Sequence, residues 1–415
     1  MRILKGHRFR LDLDEAQAAW CSRTAGICRF LWNLALEQRS MAWNFGRHVV
    51  GYFEQAGELP ELKKAHPWLA EAPSHCLQQT LRDLDAAFGN FFQGRAAYPA
   101  FRKKFQRDRF RFPDPVQFTV NEEERWLKLP KLGQVAYRNG KGRHALNLAG
   151  RPKSITVTRD GGHWYASVLC EAEVAEPVPV QGPPVGVDLG VVRSLTLSTG
   201  EVLTVAGLTR DEARRQARLQ RALARKRKGS SNRHKARLRL ARFQARSARR
   251  RRDSIHKITT RLAKSHGQIV LEDLRVKAMT ASAAGTLEAP GTRVKAKAGL
   301  NRAILNVAFG EIRRQLEYKC RWHGSVLQVV NPAYTSQKCH ACQFTHAANR
   351  PSQADFVCEN CGHRANADVN AARNILEAGQ SLPAVGRTVD ACGGKASAAR
   401  RSRKPVAQAP GIPFL

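Results

Sequence analysis

Two Cys-x-x-Cys pairs, Cys339-His-Ala-Cys342 and Cys358-Glu-Asn-Cys361, stand fifteen residues apart in the last quarter of the chain. No other feature restricts the fold as tightly. Each pair sets two thiolates about one point, and a short hairpin between the pairs brings the points together, the layout of a tetrahedral four-thiolate zinc site. Four protein thiolates leave no open position, so the expected role of the zinc is structural rather than catalytic. Gly362 follows the second pair, where a glycine eases the positive φ of such a turn; Gln343 holds the matching place after the first pair and is less suited to it. The other six cysteines (Cys21, Cys28, Cys76, Cys170, Cys320, Cys392) have no framework spacing and read as buried or inert thiols of a reducing cytoplasm.

Charge narrows the partners. The 415 residues include 70 Lys and Arg against 34 Asp and Glu, a net charge of +36. A folded protein carrying that excess repels itself unless a polyanion neutralises it, and nucleic acid is the natural candidate. The excess peaks between Arg210 and Lys264, where 22 basic residues face three acids and where Arg225-Lys-Arg-Lys228 forms the densest run. This stretch is predicted to be helical, broken near Gly229-Ser-Ser-Asn232, and to line a channel that holds a nucleic-acid backbone. No run approaches the ~18 apolar residues of a membrane span, and the N-terminus lacks the apolar core of a signal peptide. The expectation is a cytoplasmic protein with no membrane partner.

Periodicity divides the chain. Residues 1–12 alternate as a strand. A helical period runs from Asp14 to about Arg39, and a second from Leu77 to Phe91 with Ser74 as a possible N-cap. From about Phe110 to Glu173 the pattern is strand-like, with Asp160-Gly-Gly162 turning a hairpin. Glu173 to Pro184 reads as a linker. Short strands are predicted at Val185–Gly190, Ser194–Ser198 and Gln268–Leu274, a loop over 278–299, one helix over Leu300–Trp322 and a last helix over Asn370–Glu377. Beyond about Gly379 the chain is basic and of low complexity.

Three carboxylates stand out in a chain so poor in acids. Asp188 lies in the apolar strand Val185-Gly-Val-Asp-Leu-Gly190, Glu272 ends Ile269-Val-Leu271, and Asp368 sits just before the last helix. A carboxylate in a buried strand is costly unless it is paired or binds metal. Clustered carboxylates are what a nuclease needs to hold two divalent ions about 4 Å apart across a scissile phosphate. Asp273 should point to the opposite face of the strand from Glu272.

Gly186-Val-Asp-Leu-Gly190, Leu271-Glu-Asp-Leu274 and Asp368-Val-Asn-Ala-Ala372 resemble the three RuvC motifs of TnpB proteins, which insertion-sequence transposons encode and which resemble type V CRISPR effectors. The cysteine pairs lie between the second and third motifs, as in that family. Further matches are Cys28-Arg-Phe-Leu-Trp-Asn33, Leu81-Arg-Asp-Leu-Asp-Ala-Ala-Phe88, Tyr98-Pro-Ala-Phe-Arg-Lys-Lys104, Leu127-Lys-Leu-Pro-Lys-Leu-Gly133 and Gln315-Leu-Glu-Tyr-Lys319, so the resemblance spans about residues 1–378. It implies an α+β multidomain protein. A split wedge β-barrel would occupy 1–12 and 106–180, and a helical recognition domain 13–105. An RNase H-like RuvC nuclease domain would occupy 181–332 and 366–380, with a zinc ribbon inserted at 333–365 and a disordered basic tail at 381–415. It also implies an RNA-guided DNA endonuclease: a guide RNA from the transposon end, a double-stranded DNA target beside a short adjacent motif, catalytic Mg²⁺ (or Mn²⁺) on Asp188, Glu272 and Asp368, and structural Zn²⁺ on Cys339, Cys342, Cys358 and Cys361. By position, Tyr52, Ser74, His75 and Gln78 resemble motif-reading residues. Two positions depart from the family pattern, Gln343 in place of glycine and Asn306 where many relatives carry Asp.

Two other functions compete. DNA-joining transposases also use three carboxylates, but their usual order ends in Glu, whereas the order here is Asp, Glu, Asp. A non-catalytic RNA-guided DNA-binding regulator would be expected to have lost one of the three acids, and all three are present.

Overall fold

The computed structural model describes residues 1–104, 106, 108–138, 148 and 150–381. The basic tail expected at 381–415 therefore lies, apart from Ser381, outside the described residues.

The N-terminal half contains β1 (Arg2–Asp12), α1 (Glu15–Gly46), α2 (Tyr52–Gly57), α3 (Leu59–Ala65), α4 (Ser74–Phe92), β2 (Arg109–Phe112), β3 (Thr119–Asn121), β4 (Trp126–Leu129), β5 (Gly133–Arg138), β6 (Arg151–Asp160) and β7 (His163–Glu173). The strands form one antiparallel sheet in the order β2-β6-β7-β1-β5-β4-β3. Their alternation sends Phe112, Leu127, Ile155, Val157 and Val168 to one face, where they share a core with Leu31 of α1 and with Leu77, Leu81 and Leu84 of α4. Asp14 starts α1 with a capping box. Its carboxylate accepts from the Gln17 amide at 2.7 Å, and the Gln17 side chain accepts from the Asp14 amide at 3.2 Å. The helix runs to Gly46, well past the predicted end at Arg39. Ser74 is not the N-cap of α4: Pro73 holds that place in extended conformation, and Ser74 is the first helical residue.

The second half contains β8 (Val185–Asp188), β9 (Leu195–Leu197), β10 (Val202–Leu203), α5 (Arg210–Ala224), α6 (Ser231–Ser265), β11 (Gln268–Glu272), α7 (Val276–Met279), α8 (Val294–Val307), α9 (Phe309–His323) and β12 (Val326–Val330). After β12 come β13 (Asp355–Val357), β14 (Arg364–Asn366) and α10 (Ala367–Gln380). The main sheet has the order β10-β9-β8-β11-β12. Its first three strands are antiparallel, and β8, β11 and β12 are parallel. Pairs α5–α6 and α8–α9 lie in the two crossovers that parallel strands require. Val187, Ile269 and Leu271 face Ile255 of α6 and Ile312 and Leu316 of α9. Val270, one residue out of step, faces Ile375 of α10 on the other side.

Several sequence expectations fail here: β8 ends at Asp188 and β11 at Glu272, and α10 begins at Ala367, so Asp368 lies inside the helix rather than before it. The loop expected over 278–299 ends at Val294, where α8 begins. The single helix expected over Leu300–Trp322 is two, separated at Ala308 in the left-handed region (φ 64°). The break shifts the phase, so Ile304 and Val307 are buried while Leu305, which an unbroken helix would put on the face of Phe309 four residues on, is 56% exposed.

Candidate metal centres and nucleic-acid surface

The four sulfurs of Cys339, Cys342, Cys358 and Cys361 lie within 4.8 Å of one another, a set that can hold zinc. Both knuckles fold alike. The Cys339 amide donates to the Phe344 carbonyl and the Gln343 amide to the Cys339 carbonyl, each at 2.9 Å; Cys358, His363 and Gly362 repeat the pattern at 2.9 Å. Gln343 and Gly362 take φ of 66° and 69° at equivalent places. Gln343 accepts the conformation while its side-chain amide donates to the His340 carbonyl (3.0 Å) and Glu377 Oε2 (2.9 Å). The Phe344 amide, beside the Cys342 sulfur, brings that thiol down to about 6, toward the thiolate that a zinc ligand must be. Phe356 seals the ribbon from beneath, with Cys339, Cys358 and Ala367 around it.

Strand register and one helix bring the carboxylates together. Leu271 pairs with Val187 across the parallel ladder, so Glu272 and Asp188 follow side by side at the ends of β11 and β8. Alternation puts Asp188 on the face of Gly186, and Glu272 on the face of Val270. That is the face α10 covers. A Cβ on Gly186 would lie 2.1 Å from the Ala372 carbonyl oxygen, and one on Gly379 would lie 2.5 Å from Val270, so two glycines admit the helix closely. Asp368, one turn before Ala372, lies in the first turn of α10, where free amides and the helix dipole favour a carboxylate.

The electrostatics agree with the geometry. Burial, then the charges of Glu272 and Asp368, push the Asp188 carboxyl up to about 7, against a smaller opposing pull from Arg350. Burial also raises Glu272, offset in part by the Thr335 hydroxyl, which donates to its Oε1 at 2.5 Å. Arg350 reaches Asp368 Oδ1 at 3.5 Å. Three carboxylates whose negative charge Arg350 offsets only in part are hard oxygen donors, which suit Mg²⁺ or Mn²⁺ rather than a soft metal. Asp273 is exposed and pairs with Arg313, on the other side of the strand as expected. Asn306 accepts from Arg251 of α6 at 2.9 Å. Sequence reasoning missed Thr335, Arg350, Asn370 and Asn374. They lie in or beside motifs already noticed, but their partners are far away in sequence.

Among the expected motif readers, Ser74 and Gln78 are exposed one turn apart on α4. Arg82 continues their stripe, its guanidinium 5.0 Å over the Tyr52 ring at the start of α2. Ser74 accepts from Lys63 at 2.8 Å, whereas His75 is half-buried against the Gln117 side chain. Burial, with Lys131 nearby, lowers Lys63. Arg225, Lys226, Arg227 and Lys228 are all exposed at the turn between α5 and α6. A cavity of about 390 Å³ opens between this helix pair and the N-terminal sheet, lined by Arg10, His163, Arg215, Arg242, Phe243 and Arg246 among others. Its one acid, Glu212, is already bound by Arg250. No helix of the described residues is long and apolar enough to cross a membrane.

Three family profiles match: "Probable transposase" over 167–283, "Cas12f1-like, TNB domain" over 309–375, and "Helix-turn-helix domain" over 1–47. The last description does not fit the fold, since 1–47 form one strand and one unbroken helix of 32 residues. Among solved structures, a Cas12f1–sgRNA–target DNA complex aligns with 88% of this chain and 83% of that chain, at 14% identity and a TM-score of 0.49. The chain is 35% identical to a protein of Streptomyces pristinaespiralis named as an RNA-guided DNA endonuclease, over 100% of this chain and 99% of that one. InsQ of Escherichia coli (strain K12), which bears the same description, is 43% identical over 94% of this chain and 96% of its own. With identity of that order along nearly the whole length, the chain belongs to the TnpB family.

Proposed function

We propose that this protein is an RNA-guided, metal-dependent DNA endonuclease. In this reading a transposon-end RNA is its guide and Asp188, Glu272 and Asp368 are its catalytic residues. The convergence of these three carboxylates under α10 carries the reading. The strand order β10-β9-β8-β11-β12, three antiparallel strands followed by two parallel ones, supports an RNase H-like nuclease domain over 181–332 and 366–380. The sheet of 1–12 and 106–180 we assign as the wedge, 13–105 as the recognition helices, and 333–365 as the zinc ribbon.

Asp188, Glu272 and Asp368 would hold the divalent ions, which when bound supply activation of water and stabilisation of the leaving oxygen. The chain's own part is to fix the carboxylates before substrate arrives. Two adjacent strand ends set Asp188 and Glu272, and α10 sets Asp368. Arg350, 3.5 Å from Asp368, is placed to meet a phosphate as well. The stripe of Ser74, Gln78 and Arg82 with Tyr52 presents donors and an aromatic face suited to a short duplex motif. The exposed Arg225–Lys228 turn and the arginine cavity suit the RNA backbone, which needs charge but no sequence reading.

The test is cleavage by the purified ribonucleoprotein. A plasmid matching the bound RNA should be cut in Mg²⁺, and cutting should stop with EDTA or after RNase treatment. Cutting that survives both treatments would refute the reading.

A further inference from the structure

Among the described residues the Glu272 carboxylate has one hydrogen-bond partner, the Thr335 hydroxyl. Thr335 is 8% exposed and sits in the segment that leads from β12 into the first zinc knuckle. It is itself held. Asn374 of α10 donates through one side-chain amide to the Thr335 carbonyl at 2.9 Å and to the Lys338 carbonyl at 2.7 Å. Asn370, one turn earlier, donates to the same Lys338 carbonyl at 2.8 Å and accepts from the His340 amide at 3.0 Å. Both asparagines are almost fully buried, and Lys338 and His340 flank Cys339. An unbroken hydrogen-bonded path thus joins the knuckle, the helix that carries Asp368, and the carboxylate of Glu272.

A single donor matters for a carboxylate on a strand end. The Glu side chain has three rotatable bonds, and fixing it costs conformational entropy that a ligand would otherwise have to supply. A donor on one oxygen removes that freedom and leaves the other oxygen for a cation. Partners of this kind typically change metal affinity or activity by about 10- to 100-fold.

We propose that Thr335 is a positioning residue that holds Glu272 ready for a divalent cation, and that the zinc ribbon, through Asn370 and Asn374, holds Thr335. Loading the ribbon with zinc then tightens cation binding at the carboxylates. The inference rests on the reading of those carboxylates as a cation site.

The experiment measures Mn²⁺ binding by electron paramagnetic resonance on the zinc-loaded ribonucleoprotein without target DNA. The same titration of Asp188→Ala is subtracted to remove ions held by RNA. Thr335→Val keeps the shape and deletes the hydroxyl, and should raise half-saturating Mn²⁺ about tenfold or more. Thr335→Ser should restore it to within about twofold, which a role in packing alone would not do. Asn374→Asp, which removes the donors without touching Glu272, should shift binding in the same direction as Thr335→Val. The Mg²⁺ needed for half-maximal cleavage should move in parallel. Unchanged Mn²⁺ binding in Thr335→Val overturns the inference while the endonuclease reading stands. If Thr335→Val does not fold, Thr335→Ala replaces it, and equal binding by the Ala and Ser variants overturns the inference. If wild type binds no more Mn²⁺ than Asp188→Ala, the cation site and this inference fall together.

Discussion

The two candidate metal centres meet at α10 but are built on opposite principles. In the ribbon, backbone amides already face the sulfurs, and the turns close with 2.9 Å hydrogen bonds at both knuckles. At the carboxylates the fold works against itself. Burial and two like charges hold Asp188 near 7, and Arg350 and the Leu189 amide compensate only in part. Under the proposed function, the difference separates a metal that would belong to the fold from one that would belong to the reaction. In that reading zinc would complete a structure, whereas bound cations would relieve an electrostatic load at the carboxylates.

The sharpest way to break this contrast is to remove the ligands. Asp188→Ala, Glu272→Ala and Asp368→Ala should each reduce cleavage by on the order of a thousandfold, the ~4 kcal/mol expected when charge stabilisation by a metal is lost. RNA-guided DNA binding should persist. Two variants of the three cutting at near wild-type rates would show the carboxylate assignment to be wrong.

Cys358→Ser should do the reverse, acting on stability first. Structural zinc contributes folding energy directly, so the variant should lose zinc by elemental analysis and melt lower, with cleavage failing as a consequence. Stoichiometric zinc and an unchanged melt would contradict the structural role.

Gly186→Ala bridges the two centres. Its Cβ would meet the Ala372 carbonyl oxygen at 2.1 Å, and a backbone atom cannot swing aside. Displacing α10 should cost roughly 1–3 kcal/mol in thermal or chemical unfolding and should impair cleavage more than DNA binding, because Asp368 moves with the helix.

The load on Asp188 has a pH signature. Its folded pKa lies above the ordinary 3.8, so the folded state binds more protons than the unfolded one between the two values. Stability from this site is therefore greatest at low pH, falls as pH rises toward 7, and stays reduced above it. Without divalent metal, Asp188→Asn should melt a few degrees (~2–4 °C) higher than wild type at pH 8, and the gap should narrow as pH falls and close as pH approaches the ordinary carboxylate value of 3.8. A gap that widens toward acid would reverse the sign and remove the load. Smallest of all, Gly362→Ala puts a side chain into a left-handed position with nothing within 4 Å, and should cost only about 1 kcal/mol.

Much of this was legible in the sequence because the signals were local. Two Cys-x-x-Cys pairs, a carboxylate in an apolar strand and a one-sided charge run each carry their meaning within a few residues. What escaped was set by distance. Nothing near Thr335 announces a partner 63 residues earlier, and Asn370 and Asn374 look like ordinary helix residues until the knuckle carbonyls lie above them. The break at Ala308 escaped for another reason. Apolar residues continue at helical spacing through it, and alanine gives no sign of a left-handed turn. The alternating and helical stretches were readable, but the single core that joins α1 and α4 to the antiparallel sheet comes from tertiary packing that periodicity does not encode.

The central claim is that sequence choice comes from bound RNA and cutting from the metal-dependent carboxylates. The direct measurement replaces the guide segment of the co-purified RNA with an unrelated sequence of equal length. It supplies a plasmid that matches the new guide beside the original adjacent motif. Cleavage should move to the new site, require Mg²⁺, and vanish in Asp188→Ala. A protein that goes on cutting its old site, or that cuts the new one without divalent metal, would contradict the account.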